Sequence, residues 1–201
     1  MKRVKNLNHP KKGSSIRVEP IRDLRAVKRI KASLYARSPR DYCLFVLGIN
    51  TAYRISELLS LTVSDVAHLK PGDVLNIRQS KTNKYRLATL NTVAYDAIQY
   101  WLQRHPQPVA HAALFASNRT GDALLPSTCC NMVKEWCADA DIHGNYGSHS
   151  LRKTWGFHQR VTYNEPTALI SRALGHSSER ETQSYLGIQT KEIECLFENM
   201  V

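Results

Sequence analysis

The chain has 201 residues, with 28 Lys and Arg against 17 Asp and Glu, and a formal net charge of +11. This length suits one domain, and 42% hydrophobic residues suffice for a core, which excludes intrinsic disorder. The longest apolar run, Cys43 to Ile49, is far shorter than the roughly 18 to 20 residues that span a bilayer, and the charged start is not followed by the apolar segment of a signal peptide. The five cysteines include no C-x-x-C pair, so we predict reduced thiols in a cytoplasmic protein, with no zinc site and no membrane partner.

The positive charge is concentrated near the beginning of the chain. Residues 1–40 contain thirteen Lys or Arg and two acidic residues, whereas residues 41–201 contain fifteen of each sign. Such a segment is typical of an arm that binds a polyanion, and we favour nucleic acid over a solvated tail, a membrane surface or an acidic protein. We therefore predict a flexible basic arm over residues 1–19 that contacts nucleic-acid phosphates through Lys2, Arg3, Lys5, Lys11, Lys12 and Arg17.

Helical patterns follow this arm. The spacing of Ile21, Leu24, Val27 and Leu34 predicts a helix that begins at Pro20, with a basic face opposite an apolar one. Ser38-Pro39 should end it, and the nearly continuous apolar run over residues 41–49 predicts a helix buried in the centre of the domain. Another helix is expected to start near Ile55.

A short β-hairpin is predicted next. Residues 74–79 and 85–90 have strand character and flank a lysine-rich tip, and residues 113–117 suggest a third strand. The remaining chain again favours helices, over 92–103 after an Asn91 cap, 127–140, the residues after a Ser148 cap, 166–174, 179–186 and 190–200. The fold class is therefore α+β and mainly α, with a small antiparallel sheet.

Several polar residues are ordinary when each is considered alone. Arg54 and Glu57 have the spacing of an exposed helical ion pair. Lys81, Lys84 and Arg86 would be charges that protect a hairpin from edge pairing, and His176 would be a favourable contact at a helix C-terminus. Tyr185 has the character of a core residue. His149 and Arg152 are less ordinary, because both project from one face at a helix N-terminus, where an anion is favoured.

In combination, these residues form an ordered series of sequence blocks. The blocks are TAYRISELLSLTVSDV around Arg54, RQSKTNKYRLATL around Lys81, HSLR at 149–152, ALGHSS around His176 and SYLG around Tyr185. Together they resemble the tyrosine recombinases, or phage integrase family. The resemblance implies a tyrosine-recombinase catalytic domain over residues 20–187. Two departures stand out: Ala52-Tyr53 occupies a place where the family usually has Gly and a small apolar residue, and Lys153 replaces a frequent second histidine.

The resemblance also implies a mechanism and a set of catalytic residues. Arg54 and Arg152 would neutralise the phosphate, to which His176 would hydrogen-bond. Tyr185 would be the nucleophile and His149 its base. Lys81 would be the general acid; Lys84 is the alternative for that role and would otherwise contact DNA. The product of cleavage would be a 3′-phosphotyrosine, formed without a metal, nucleotide or other cofactor. The alternatives are a non-cleaving DNA-binding regulator on the same fold and a basic scaffold protein.

The short chain is similar to the single-domain fimbrial inversion recombinases, with about forty residues before the first block. The resemblance implies double-stranded DNA as the partner, in the nucleoid, with a homotetramer in the synaptic complex, a monomer without DNA, and accessory DNA-bending proteins as further partners. Residues 188–201 have an apolar stripe of Ile193, Leu196 and Phe197. Two arrangements remain open for this predicted helix: packing on its own domain or exchange with a neighbouring protomer.

Overall fold

The computed structural model describes residues 18–78 and 85–187, together with Glu194, Phe197 and Glu198. The described part is mainly helical, with one small antiparallel sheet, as the sequence predicts. In chain order its elements are α1 (Leu24–Arg37), α2 (Pro39–Gly48), α3 (Ile55–Leu58), α4 (Val63–Val66), β1 (Val74–Arg78), β2 (Tyr85–Thr89), α5 (Thr92–Leu102), α6 (Pro126–Asp139), α7 (Ser148–Val161), α8 (Thr167–Leu174) and α9 (Glu179–Leu186).

The helix α2 lies at the centre of the main core. Every residue from Cys43 to Gly48 is buried, which agrees with the apolar run in the sequence. Helices α1 and α5 pack against α2, and Phe45 makes an edge-to-face contact with Trp136 of α6. A Cβ atom at Gly48 would lie 2.6 Å from Leu151 Cδ1, so this glycine permits the close approach of α7.

The start of α1 differs from the prediction. The helix begins at Leu24 rather than Pro20, because the carboxylate of Asp23 caps it by accepting from the backbone N–H groups of Arg25 and Ala26. The preceding residues form no regular secondary structure, and buried Ile21 donates its backbone N–H to Thr154 Oγ1 of α7. The helix is amphipathic as predicted, but of the predicted apolar residues only Val27 and Leu34 lie on its buried face, together with Ala26 and Ile30. Leu24 is 46% exposed, and Ile21 precedes the helix.

The predicted hairpin is confirmed, whereas the predicted third strand is wrong. Strands β1 and β2 pair antiparallel, with Val74 opposite Thr89 and Arg78 opposite Tyr85. In the part of the chain that the structure describes, residues 113–117 contribute only isolated bridges, from Ala113 to Thr62 and from Ala116 to Ala123. The buried hydroxyl of Tyr53 shares its proton between the Leu75 oxygen on β1 and the Arg86 oxygen on β2, which ties both strands to the main core.

A second, smaller apolar cluster lies between α7, α8 and α9. It consists of buried Ala52, Ile170, Leu174 and Leu186, against which Trp155 and Tyr185 pack. A Cβ atom at Gly156 would lie 2.7 Å from Leu186 Cδ2, so the absence of a side chain there brings α9 onto α7. None of the helices among the described residues has the length and hydrophobicity of a membrane span.

Candidate active site

The helix α7 carries His149 and Arg152 in its first two turns. Its N-cap is Gly147 rather than the predicted Ser148, and the Ser150 hydroxyl accepts from the Gly147 backbone N–H at 3.1 Å. His149 lies at the solvent-facing end of the helix with its ring partly desolvated by the surrounding protein, whereas Arg152 is only 3% exposed. The predicted pair therefore lies where the helix dipole favours an anion, with an imidazole near the surface and a cationic guanidinium below it.

Two backbone carbonyls from different parts of the chain hold the guanidinium of Arg152. Nη1 donates to the Ala52 oxygen, and Nη2 donates to the Leu174 oxygen at the end of α8. Ala52 has a φ of 58°, in the left-handed region that favours glycine. A glycine would adopt this conformation at a lower cost than alanine.

Arg54 lies at the N-cap of α3 and forms an ion pair with Glu57. Its Nη1 is 3.1 Å from Glu57 Oε1, and its backbone N–H donates to Glu57 Oε2 at 2.6 Å. The Arg54 side chain is 39% exposed, whereas that of Glu57 is 9% exposed. The spacing thus produces the predicted ion pair, but with a buried carboxylate and an arginine that reaches the surface.

Tyr185 packs between a histidine and a lysine. The His176 and Tyr185 rings meet edge to face with their centroids 5.0 Å apart, and Lys153 Nζ lies 4.8 Å from the centre of the tyrosine ring. Nδ1 of His176 is 2.8 Å from Thr182 Oγ1, a contact that joins the end of α8 to α9. The Tyr185 hydroxyl is buried and makes no hydrogen bond of ordinary geometry to any described residue.

The electrostatics of the site follow from burial and the two arginines. Burial lowers the pKa of His149 and of His176, and the positive charges of Arg152 and Arg54 lower both further. Burial raises the pKa of Tyr185, although Arg152 and Arg54 favour its phenolate and oppose this shift. Burial also lowers the pKa of Arg152, to about 10. Arg54, His149, Arg152, His176 and Tyr185 are therefore close enough to influence one another.

The other predicted residues lie outside the described part of the chain. Lys81 and Lys84 belong to residues 79–84, between the two described strands, and Lys2, Arg3, Lys5, Lys11, Lys12 and Arg17 belong to residues 1–17. Most of the predicted final helix also lies outside it; Phe197, which is described, is 85% exposed. The described residues contain no group of three or more His, Cys, Asp or Glu side chains arranged to hold a metal ion.

Sequence reasoning missed two contributors to this site. Arg86, interpreted from sequence as an edge charge, is instead 9% exposed and donates to the Ala173 and Leu174 oxygens of α8. Lys153, left out of the predicted site, contacts the ring of Tyr185. Lys153 directly follows Arg152 in the sequence, which could have indicated its location, whereas no local pattern connects Arg86 to α8.

Comparisons with known proteins identify the family of the chain. The model of the phage integrase family matches residues 21–192. The chain belongs to the phage integrase family. It is 34% identical over 174 residues to the Bacillus subtilis protein named integrase/recombinase YoeC, covering 85% of this chain and 90% of that protein. It is 29% identical over 153 residues to the type 1 fimbriae regulatory protein FimE of Escherichia coli, covering 75% of each.

Solved structures of tyrosine recombinases share the fold. The XerA recombinase superposes with a TM-score of 0.74 at 23% identity, over 90% of this chain and 65% of that one. XerH bound to a palindromic difH substrate superposes with a TM-score of 0.74 at 22% identity, over 92% of this chain and 54% of that one. The chain also spans 43% of the tyrosine recombinase XerC of Caldanaerobacter subterraneus, at 29% identity over 157 residues. This phage integrase family chain thus corresponds to nearly all of YoeC but to about half of the larger relatives.

Proposed function

We propose that the chain is a site-specific DNA recombinase that cleaves and rejoins DNA through a 3′-phosphotyrosine on Tyr185. The observation that carries this proposal is the convergence of one tyrosine, two arginines and two histidines on one site, from the N-cap of α3, from α7, from the turn after α8 and from α9. Such a set supplies a nucleophile, groups that transfer protons and two charges that match a phosphodiester. A regulator that only binds DNA would not need this set.

Arg54 and Arg152 are the proposed phosphate ligands. A phosphodiester gains negative charge as its pentacovalent transition state forms, and a guanidinium presents parallel N–H donors to the non-bridging oxygens. Arg152 uses one donor on Ala52 and one on Leu174, which fixes its plane and leaves three of its five N–H groups. Arg54 is more exposed and can turn towards DNA.

The proposed cleavage step transfers two protons, one from the attacking tyrosine and one to the leaving oxygen. Tyr185 Oη attacks the phosphorus while His149 accepts the phenolic proton, a bond from phosphorus to the tyrosine oxygen forms, and the bond to the 5′ oxygen breaks. Lys81 gives that leaving oxygen a proton, and His176 hydrogen-bonds the phosphate. Religation is the reverse, so the phosphotyrosine conserves the bond energy and no nucleotide is needed. The lowered pKa of His149 suits this role, because the imidazole is then neutral near pH 7.

The buried hydroxyl of Tyr185 adds a requirement to this scheme. The phenolic oxygen is shielded from solvent by the described residues, so the groups that cover it must move before it can attack DNA. Residues 188–201 directly follow α9. We propose that this C-terminal segment is exchanged between protomers of a tetrameric synaptic complex, and that its capture by a neighbour shifts α9 and exposes the tyrosine.

The described residues also favour a DNA-binding role for the basic arm. The Glu19 backbone N–H donates to the Asn145 oxygen at 2.8 Å, and the Ile21 backbone N–H donates to Thr154 Oγ1 at 2.8 Å. These contacts place Val18, where this described part of the chain begins, beside Gly147 at the end of α7 that carries His149. We propose that the arm binds phosphates near the cleaved bond.

Deletion of residues 1–17 tests this role of the arm, because it retains both anchoring contacts. Six of the cations assigned to DNA are then lost, so the plot of log affinity against log salt concentration should become shallower by about five units. As a control, substitution of these six lysines and arginines by glutamine in the full-length chain should give the same change. A salt dependence equal to that of the full chain would contradict a role for the arm.

The experiment for the overall proposal selects the target site and tests cleavage together. A pool of nicked duplexes with randomised sequence is incubated with the chain in EDTA, and DNA that becomes covalently attached is recovered, amplified and reselected. Enrichment of a sequence family is the expected result. A family of sequences that is bound without covalent attachment would instead favour the non-cleaving DNA-binding regulator.

A further inference from the structure

Arg86 is a buried arginine on an otherwise exposed strand. It is 9% exposed, whereas its neighbours on β2, Tyr85 and Leu87, are 63% and 67% exposed. The strand therefore turns one charge inward beside the site. A buried guanidinium is costly unless it is paired, so its partners indicate what it does.

The first partners of Arg86 are the last carbonyls of α8. Nη1 donates to the Leu174 oxygen at 2.7 Å, and Nη2 donates to the Ala173 oxygen. These oxygens form the negative end of the helix dipole, where a cation is favoured. Because the Leu174 oxygen also accepts from Arg152, the two arginines hold the same carbonyl just before the turn that leads to His176.

The second neighbour of Arg86 is the carboxylate of Glu57. Nε of Arg86 lies 3.8 Å from Glu57 Oε2 and has no hydrogen-bond partner among the described residues. On its other side, Glu57 is paired with Arg54 at 3.1 Å. The buried carboxylate therefore lies between two arginines, one close and partly exposed and one slightly farther away and buried.

This arrangement bears on a conflict between two roles of Arg54, which is paired with Glu57 and is also a proposed phosphate ligand. If Arg54 turns to a phosphate, the buried carboxylate of Glu57 loses the closer of its two arginine neighbours, and the loss of a partner from a buried charge is strongly unfavourable. Arg86 is already oriented towards Glu57 with an unused N–H group. We propose that Arg86 is a positioning residue that becomes the main partner of Glu57 and thereby releases Arg54 to the scissile phosphate. This inference rests on the proposed function.

A double-mutant cycle tests the role of Arg86. Single-turnover formation of the covalent adduct is measured on the selected nicked duplex for the wild type, Arg86→Met, Glu57→Gln and the double variant. Arg86→Met should slow the reaction about ten- to a hundredfold, because Glu57 then retains Arg54. In the Glu57→Gln background the same substitution should change the rate less than about threefold, and Arg86→Lys should recover part of the rate.

Arg29→Met is the matched control, because Arg29 also donates to a carbonyl at a helix end, that of Ala140, but lies away from the site. Its rate should equal that of the wild type. All variants are compared at a temperature at which circular dichroism shows each one folded, and DNA binding is measured separately on Tyr185→Phe versions, where Arg86→Met should have little effect.

An unchanged rate for Arg86→Met would overturn the inference, as would independent, multiplying effects of the two substitutions. If the wild type itself forms no adduct, the proposed function fails, and that outcome is distinct from a failure of Arg86 alone.

Discussion

The backbone oxygen of Ala52 accepts a hydrogen bond from Nη1 of Arg152, and Ala52 adopts a left-handed conformation to present it. The two residues are a hundred positions apart in the chain. The orientation of a proposed phosphate ligand therefore depends on the backbone of a loop that precedes Arg54.

Replacing Ala52 by glycine should cost the chain little or no stability. Ala52→Gly removes the cost of a left-handed alanine, about 1–2 kcal/mol, and this offsets the added unfolded-state entropy and the loss of a buried methyl group from the smaller apolar cluster, which together cost about 1–2 kcal/mol. Urea unfolding measures this difference. The same substitution at Ala138, an exposed residue within α6, should instead lower the unfolding free energy by about 1 kcal/mol. A comparable loss at both positions would contradict the strain at Ala52.

Gly175 is predicted to be required both for its left-handed backbone conformation and for the close approach of the Arg86 side chain. Its φ is 61°, and a Cβ atom there would lie 2.7 Å from Arg86 Nη1. Gly175→Ala should therefore cost at least about 1 kcal/mol of stability and also slow DNA cleavage by displacing Arg86. Gly121→Ala provides the control, since that glycine has a φ of 77° with open space around it. It should lose stability but retain the cleavage rate. Equal cleavage by the two variants would refute the link to Arg86.

Lys153 is predicted to support Tyr185 through its charge. An ammonium 4.8 Å from the ring centre is attracted to the ring face and favours a fixed orientation of the tyrosine. Lys153→Met should slow adduct formation a few-fold at constant DNA affinity, whereas Lys153→Arg should remain close to the wild type. Single-turnover kinetics and a binding titration separate the two quantities. A rate that follows side-chain size rather than charge would contradict this prediction.

The free energy of unfolding is predicted to fall on mild acidification, because three histidines are desolvated in the folded chain and bind protons less readily there than in the unfolded chain. Burial lowers the pKa of His158 below its ordinary value of 6.5, and the shifts at His149 and His176 have the same direction. A depressed pKa means that the unfolded chain binds the proton first, so this contribution is complete above about pH 6.5 and is lost as the pH falls through the folded-state pKa. The unfolding free energy should therefore be lower at pH 5.5 than at pH 7.5.

The substitution His158→Gln should reduce this pH dependence. Glutamine can still donate to the Ile21 oxygen, which Nε2 of His158 contacts at 3.0 Å, but it does not titrate. Urea unfolding at the two pH values measures the difference, with His111→Gln on an exposed loop as the control. A pH dependence for His158→Gln as large as that of the wild type would show that this histidine does not contribute.

Most of the fold could be predicted from local patterns. The buried α2, the hairpin and the cap of α5 at Asn91 all follow from apolar spacing and cap chemistry, which act over a few residues. Two helix starts were predicted wrongly because a neighbouring residue is the N-cap. Asp23 caps α1, which therefore begins after Pro20, and Gly147 rather than Ser148 is the N-cap of α7. When two nearby residues can both begin a helix, the local pattern does not decide between them, because tertiary contacts determine which one is used.

The site was predictable only in part. The blocks indicated the residues proposed to carry the chemistry, because each block has a distinctive spacing. The contacts that orient them could not be predicted: Arg86 meets Leu174 across 88 positions, and Arg152 meets Ala52 across 100. Both partners are backbone carbonyls, which every residue has, so the sequence contains no local mark of these bonds.

The most direct test of the proposed function is the identity of the covalent bond. The selected nicked duplex is incubated with the wild type and with Tyr185→Phe in EDTA, adducts are separated on a denaturing gel, and the attached peptide is identified by mass spectrometry. The account predicts an adduct for the wild type, none for Tyr185→Phe, and a phosphorylated tyrosine in the peptide that contains Tyr185. An adduct that persists in Tyr185→Phe, or one formed through another residue, would contradict it.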